Sequence, residues 1–205
     1  LLGLDVTSRA VAAINLRRAF PNSGHYVRFW DASARIAALS GWLAQEVSLP
    51  ALHAADAYTF GLFRDSGIVI LLRRLPTYMQ TLARANGDAE RSFTAVERAE
   101  HPTDHAVVGG LMAVDWWLPD ELCQAIRHHH DLAALASLQP DLPTLSRRLI
   151  AVSQTAEHLL QQLGGASRTQ EWAKLGEVSL PLLGIDEKDL RQLHSGATAI
   201  IQTAA

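Results

Sequence analysis

The sequence predicts an all-α protein, a single multi-helix domain, on three observations. Apolar residues recur at helical rather than alternating spacing along most of the chain. The run Ile68-Val69-Ile70, rich in β-branched residues, has no second strand-like segment with which to pair. Breakers, namely Pro50, Pro76, Pro140, Pro143 and Gly164-Gly165, mark ends of the periodic segments.

In chain order, Val27, Trp30, Ala34, Ala37, Ala38 and Trp42 mark one long amphipathic helix over 25–47, ended before Pro50. Pro50 suits the first turn of a second helix reaching Phe63. Gly67 punctuates, and 68–74 continues as an apolar helix up to Pro76. Helices are expected at 76–85, 88–99, 104–117 and 119–129, with Asp88 and Thr103 as N-caps and Pro119 in a first turn. Beyond Pro140 and Pro143 comes a long helix over 144–163, closed by Gly164-Gly165. A short helix at 169–175 and a last one at 186–201 complete the chain. The Gly164-Gly165-Ala166-Ser167 turn is the best hinge, but residues 168–205 read as C-terminal helices docked on the same domain, so 1–205 is taken as one unit.

With 205 residues, 48% hydrophobic and 19% charged, the chain has a globular composition rather than a disordered one. A formal charge of −3 argues against direct nucleic-acid binding, which needs a basic surface. The pairs Arg17-Arg18, Arg73-Arg74 and Arg147-Arg148 sit near expected helix ends, where a cation complements the dipole. Cys123 is the single cysteine, so no intrachain disulfide can form, and a reducing cytoplasm fits best. It reads as a packing residue. No stretch approaches the roughly 20 apolar residues of a membrane span. Trp30 and Trp42 read as core. Trp116 and Trp117 are adjacent and cannot both face inward, so one is expected at a surface.

Chemistry-bearing residues gather at helix boundaries: Arg64-Asp65, Asp104-His105, and His128-His129-His130-Asp131. A helical scaffold can project such residues inward from facing helices to build a metal site. Imidazole and carboxylate suit Zn, Mn, Fe or Ni, and such ions activate water for attack on a phosphoester. Successive histidines point about 100° apart on a helix, so all three of 128–130 cannot face one site.

Five segments, in order and spacing, are similar to the HDOD family, the HD-related output domains, relatives of the HD-domain phosphohydrolases. They are Phe29-Trp30-Asp31-Ala32-Ser33, Gly61-Leu62-Phe63-Arg64-Asp65-Ser66-Gly67, Asp104-His105-Ala106-Val107-Val108-Gly109, Trp117-Leu118-Pro119 and Ala125-Ile126-Arg127-His128-His129-His130-Asp131. Glu97 falls where the family has an acid ahead of its Asp-His pair, and Leu183-Gly184-Ile185-Asp186 looks like the turn before its last helix.

The resemblance also implies what is missing. HD phosphohydrolases place a first His where this chain has Ala32, and the His of their His-Asp doublet is Arg64, although Asp65 remains. Their third His matches His105, and the later pair matches His129 and His130, with His128 solvated. Their closing Asp falls at Ser153 or Gln154, neither a good metal ligand. A permanent cation at Arg64 repels a divalent ion beside it. Arg64, Asp65, His105, His129 and His130 are therefore expected to be vestigial metal-site or ligand-pocket positions, with no catalytic residue, no metal and no cofactor. A metal-free Asp65 needs another partner, and His105 or His129 could form a hydrogen-bonded cluster with it.

The resemblance then implies a non-catalytic bacterial regulatory domain in signal transduction. It would act on a protein partner or an attached signalling domain, with no membrane association. Alternatives are a pseudoenzyme pocket binding a nucleotide or other phosphate through Arg64 and the histidines, and an active metal-dependent phosphohydrolase. The family's early helices look absent, which would leave an apolar face near residues 1–20 for a homodimer or another domain to cover.

Overall fold

The computed structural model describes residues 25–136, 142–164 and 168–203, and every regular element among them is helical. The all-α class is thus the observed one. The apolar face expected near residues 1–20, Arg17-Arg18, Pro140 and Gly165 lie outside the described residues.

Helix α1 (His25–Val47) packs along α2 (Ala54–Phe63). Their backbones approach so closely at Gly61 that a Cβ there would meet Ala37 Cα at 2.9 Å. Pro50 does not open α2, as its sequence position suggested. Ser48 and Ala51 both take left-handed backbone (φ 47° and 65°), so the chain turns through Pro50 and the helix starts only at Ala54.

Two residues, Arg64 and Asp65, separate α2 from α3 (Ser66–Arg74). Helix α3 crosses α6 (His105–Asp115) with the same kind of contact: a Cβ on Gly67 would lie 2.1 Å from the His105 carbonyl oxygen. No side chain fits there, so this glycine sets how near Asp65 comes to His105.

Helices α4 (Tyr78–Gly87) and α5 (Phe93–Glu100) form a side hairpin around a small core of Ala85, Phe93 and Val96. Neither expected N-cap serves. Ser92 caps α5 by accepting from Ala95 N at 3.2 Å, and Asp104 caps α6 by accepting from Val107 N at 2.8 Å. Asp88 instead closes the preceding turn, accepting from the backbone N–H groups of Glu90 and Arg91 at 2.9 and 2.7 Å.

Helix α7 (Asp120–His128) packs on α6, and Asp131 caps the short α8 (Leu132–Leu135), a single turn with no periodicity to announce it. At the centre lies α9 (Thr144–Gln162), buried almost all round from Leu149 to Leu160 and packed on α1, α7 and α10 (Glu171–Leu183). Such a helix is the core of the domain. Helix α10 is longer than the expected 169–175: Gly176 and Pro181 are accommodated inside it, and Gly184 in left-handed conformation (φ 67°) ends it. Helix α11 (Glu187–Thr203) lies against α1 and α9.

Arg73 and Arg74 occupy the last turn of α3, as a dipole argument requires. Arg147 and Arg148 do not follow it. They sit in the first turns of α9 and staple neighbouring backbone, donating to Leu135 O and Pro50 O, each at 2.8 Å. Cys123 is buried in the core, and Trp30 and Trp42 pack against it.

Candidate functional site

Asp65 follows the end of α2, His105 opens α6, and His129 and His130 follow α7. The packing of α3 on α6 and of α6 on α7 brings these ends together. His105 Nε2 lies 3.1 Å from His129 Nε2, and Asp65 Oδ1 lies 3.3 Å from His129 Nε2 and 3.5 Å from His105 Nε2. One ligand atom from each of Asp65, His105, His129 and His130 falls within 4.8 Å of the others. His128 is half-exposed and faces Asp131 at 3.6 Å, outside this cluster.

The other ring nitrogens are held from behind. His105 Nδ1 donates to Glu97 Oε2 at 2.7 Å, His129 Nδ1 donates to the Ile126 carbonyl at 2.7 Å, and His130 Nδ1 pairs with Glu171. A carbonyl only accepts, so His129 carries its proton on Nδ1 and turns a lone pair toward Asp65 and His105. Tyr78 donates to the far oxygen of Glu97, and Lys174 pairs with Glu171 at 2.5 Å. Phe93 closes the cluster, stacked on His130 with ring centroids 4.9 Å apart and edge-on to His105 at 5.2 Å.

Three electron-rich atoms facing one another need a positive species between them. In the ligand-free cluster a proton supplies it. Burial disfavours a charged His105, but Glu97 and Asp65 overcome that and raise its pKa to about 10. His129 goes the other way, pressed down to about 3 by burial and by the neighbouring His130.

A single divalent cation would fit the same place. Separations of 3.1–3.5 Å match the roughly 3.4 Å edge of a tetrahedron with bonds of about 2.1 Å. Imidazoles whose second nitrogen is tied to a carboxylate or carbonyl are the usual ligands of such ions. This arrangement suits a metal better than the sequence, with its two missing histidines, suggested.

On the other side of Asp65 the chemistry changes. Arg64 is buried, its Nε donating to Asp65 Oδ2 at 3.0 Å and its Nη2 to Glu157 Oε2 at 2.7 Å. Burial disfavours the guanidinium, yet both carboxylates keep its pKa above the ordinary arginine value. Burial likewise opposes ionisation of Asp65, but Arg64, helped by His105 and His129, holds its carboxyl well below the usual range. Arg64 and Asp65 share a cavity of about 310 Å³ with Ala32, Glu157 and His130, between apolar walls that include Phe29 and Ile68. A second cation on Asp65 Oδ2 would have to displace the guanidinium.

All five residues singled out in the sequence thus converge. Glu157 and Glu171 were not anticipated. The sole acid of α9 is Glu157, one turn beyond Ser153, and that isolation on a buried helix was the available signal. Ser153 is buried, and Gln154 reaches only toward the His129 carbonyl at 3.5 Å.

An all-helical bundle with a histidine–aspartate cluster at its helix ends defines an HD-like domain. The HDOD domain model matches residues 1–132, and the chain belongs to the HDOD family. Solved structures agree in fold. An HDOD domain protein of unknown function from Geobacter sulfurreducens superposes with a TM-score of 0.67 at 19% identity, covering 99% of this chain and 71% of its own. A provisionally named phosphohydrolase from Shewanella amazonensis gives 0.64 at 18% identity, covering 100% and 74%. The MmoQ response regulator from Methylococcus capsulatus gives 0.51 at 22% identity, covering 84% and 62%. No curated protein matches the chain closely enough to count as a relative.

Proposed function

We propose that this chain is a non-catalytic regulatory domain that works through contacts with a partner protein or an attached signalling domain. The observation that carries this is the buried Arg64 guanidinium between Asp65 and Glu157. It supplies, as a fixed side chain, the positive charge that a second metal ion would bring, and it offers no site for an activated water. Bacterial signalling is the setting that the resemblance and the names of the structural relatives suggest, MmoQ being a response regulator. Among the described residues no helix is long and apolar enough to cross a membrane.

A second reading rests on the convergence at Asp65. There Asp65, His105, His129 and His130 would hold one ion, which would supply Lewis acidity and cross-link α6, α7 and the α2–α3 junction. Glu97 and Glu171 would orient the rings, and Phe93 would limit water. That centre is structural or sensory in this account. The cavity over Arg64 is the place for the pseudoenzyme alternative, a phosphate-bearing ligand, though Asp65 and Glu157 already take two faces of the guanidinium.

The test is hydrolysis of bis(p-nitrophenyl) phosphate by protein purified without nickel and then supplied with Mn²⁺, Fe²⁺ or Zn²⁺. Turnover no greater than that of Asp65→Ala is expected. Metal-dependent turnover that Asp65→Ala abolishes would overturn the non-catalytic reading.

A further inference from the structure

Helix α6 ends in a way that its last residues do not favour. Trp117 N donates to Val114 O and Leu118 N to Ala113 O, both at 3.0 Å, the paired hydrogen bonds of a helix stop that needs a left-handed residue. That residue is Trp117, with φ 58°. Glycine fills such a position without steric cost, whereas a large side chain there is strained. The same chain uses glycine for this purpose at Gly164 and Gly184.

The indole gains no burial in exchange. Trp117 is 87% exposed, while Trp116 beside it packs edge-on against Phe63 at 5.6 Å and does the work of closing the core. Leu111 and Val114, six and three residues before Trp117, are 63% and 62% exposed. The three form one apolar strip on α6 and its end. A shallow hollow beside it is lined by Val114, Asp115, Trp117, Leu118 and Asp120, with no cation among these described residues.

We propose that this strip is a docking surface for a protein segment that carries apolar side chains flanked by lysine or arginine. Trp117 is its anchor, a residue type that dominates binding when covered and whose face also attracts cations. Asp115 and Asp120, both exposed, supply charge complementary to a basic segment. The same acids disfavour a second copy of this chain, since a two-fold contact would set each patch against its own charges. The strip is small, so the contact belongs to the weak, transient class. It rests on the regulatory reading in that it gives the partner a face, but it lies away from the metal-ligand cluster, so the hydrolysis test and this one can fail separately.

The probe is a synthetic amphipathic peptide of leucine and lysine, titrated into the full chain, with a leucine–glutamate peptide as control. The Trp117 indole N–H resonance, assigned by its loss in Trp117→Gly, moves saturably with the lysine peptide and stays put with the control. Labelled-peptide anisotropy shows at least ~10-fold weaker binding to Trp117→Gly. Asp115→Asn/Asp120→Asn weakens binding and reduces its salt dependence. Trp117→Gly melts no lower than the parent, because glycine relieves the backbone. The proposal is overturned by equal binding to Trp117→Gly, by equal binding of the glutamate peptide, or by a melting point several degrees lower in Trp117→Gly. It is overturned too if the Trp117 resonance moves on concentrating the protein alone, which would make the occupant a second copy, or with neutral lipid vesicles and not the peptide.

Discussion

Arg64 Nη2 and Glu157 Oε2 lie 2.7 Å apart although 93 positions separate the two residues in the chain. Both are buried, and the bond ties the α2–α3 junction to the central helix α9. Together with the Arg64–Asp65 contact it makes a carboxylate–guanidinium–carboxylate triad with the partly buried Asp65 at its outer end.

Breaking that triad from the middle takes the shared cation away from the buried Glu157 and the partly buried Asp65. Arg64→Met is therefore expected to lower unfolding stability by about 3–5 kcal/mol, as removal of one partner of a buried ion pair does. Adding Glu157→Leu removes the more deeply buried of the two acids and recovers part of the loss. Chemical denaturation of the two variants measures the difference; equal losses would mean that Glu157 is not coupled to Arg64.

Gly67→Ala puts a methyl group where the His105 carbonyl already lies, at 2.1 Å. The obstacle is backbone on a packed helix, so α3 must move away from α6. A loss above about 4 kcal/mol is expected, with perturbed His105 and His129 ring signals in whatever fraction folds. Gly87, which has nothing nearby, is the matched control and tolerates alanine.

The cluster also predicts how stability of the metal-free protein varies with pH. Folded His105 titrates near 10, above the ~6.5 of an unfolded histidine. Its contribution is full below ~6.5 and is lost as pH rises toward about 10. Folded His129 titrates near 3, so the unfolded chain takes up a proton below ~6.5 that the folded one refuses, and stability falls on that side too. Glu171, held down to about 2 by His130 and Lys174 against its burial, adds to the acid loss below ~4.3. Melting temperature in the presence of a chelator should peak near ~6.5, with the alkaline limb flattened in His105→Gln. A plateau from pH 6 to 10 in the parent would contradict this.

The groups behind the ligands are expected to matter nearly as much as the ligands. Glu171→Gln weakens the hold on His130 Nδ1 and should lower Zn²⁺ affinity by about 10–100-fold without unfolding the chain. Calorimetric titration of Zn²⁺ into both proteins checks it; unchanged affinity would place His130 outside the ion's coordination.

Much of this was legible in the sequence and some was not, for identifiable reasons. Helix α1 shows a helical apolar stripe from Val27 to Trp42, and its bounds agree with the periodicity. The caps failed because Asp88 and Thr103 compete with nearby residues of equal chemistry: only the turn geometry decides that Ser92 and Asp104 win. The expected helix over 169–175 stopped short of Gly176, although α10 runs on through Gly176 and Pro181 to Leu183. For the site, motif order located Arg64, Asp65, His105, His129 and His130. Glu157 and Glu171 act through contacts from distant helices, and apart from the isolation of Glu157 as the one acid of α9 no local pattern marks them. The exposed side of the Trp116-Trp117 pair could be expected, but not which of the two it was, nor its left-handed backbone.

The claim that Arg64 takes the place of a second cation is tested most directly by metal stoichiometry. Protein purified without nickel is dialysed to equilibrium against Mn²⁺ or Zn²⁺ and analysed for bound metal. No more than one ion per wild-type chain is predicted, with a second appearing only when Arg64→His and Ala32→His are combined. Two ions bound to the wild-type chain would contradict the account.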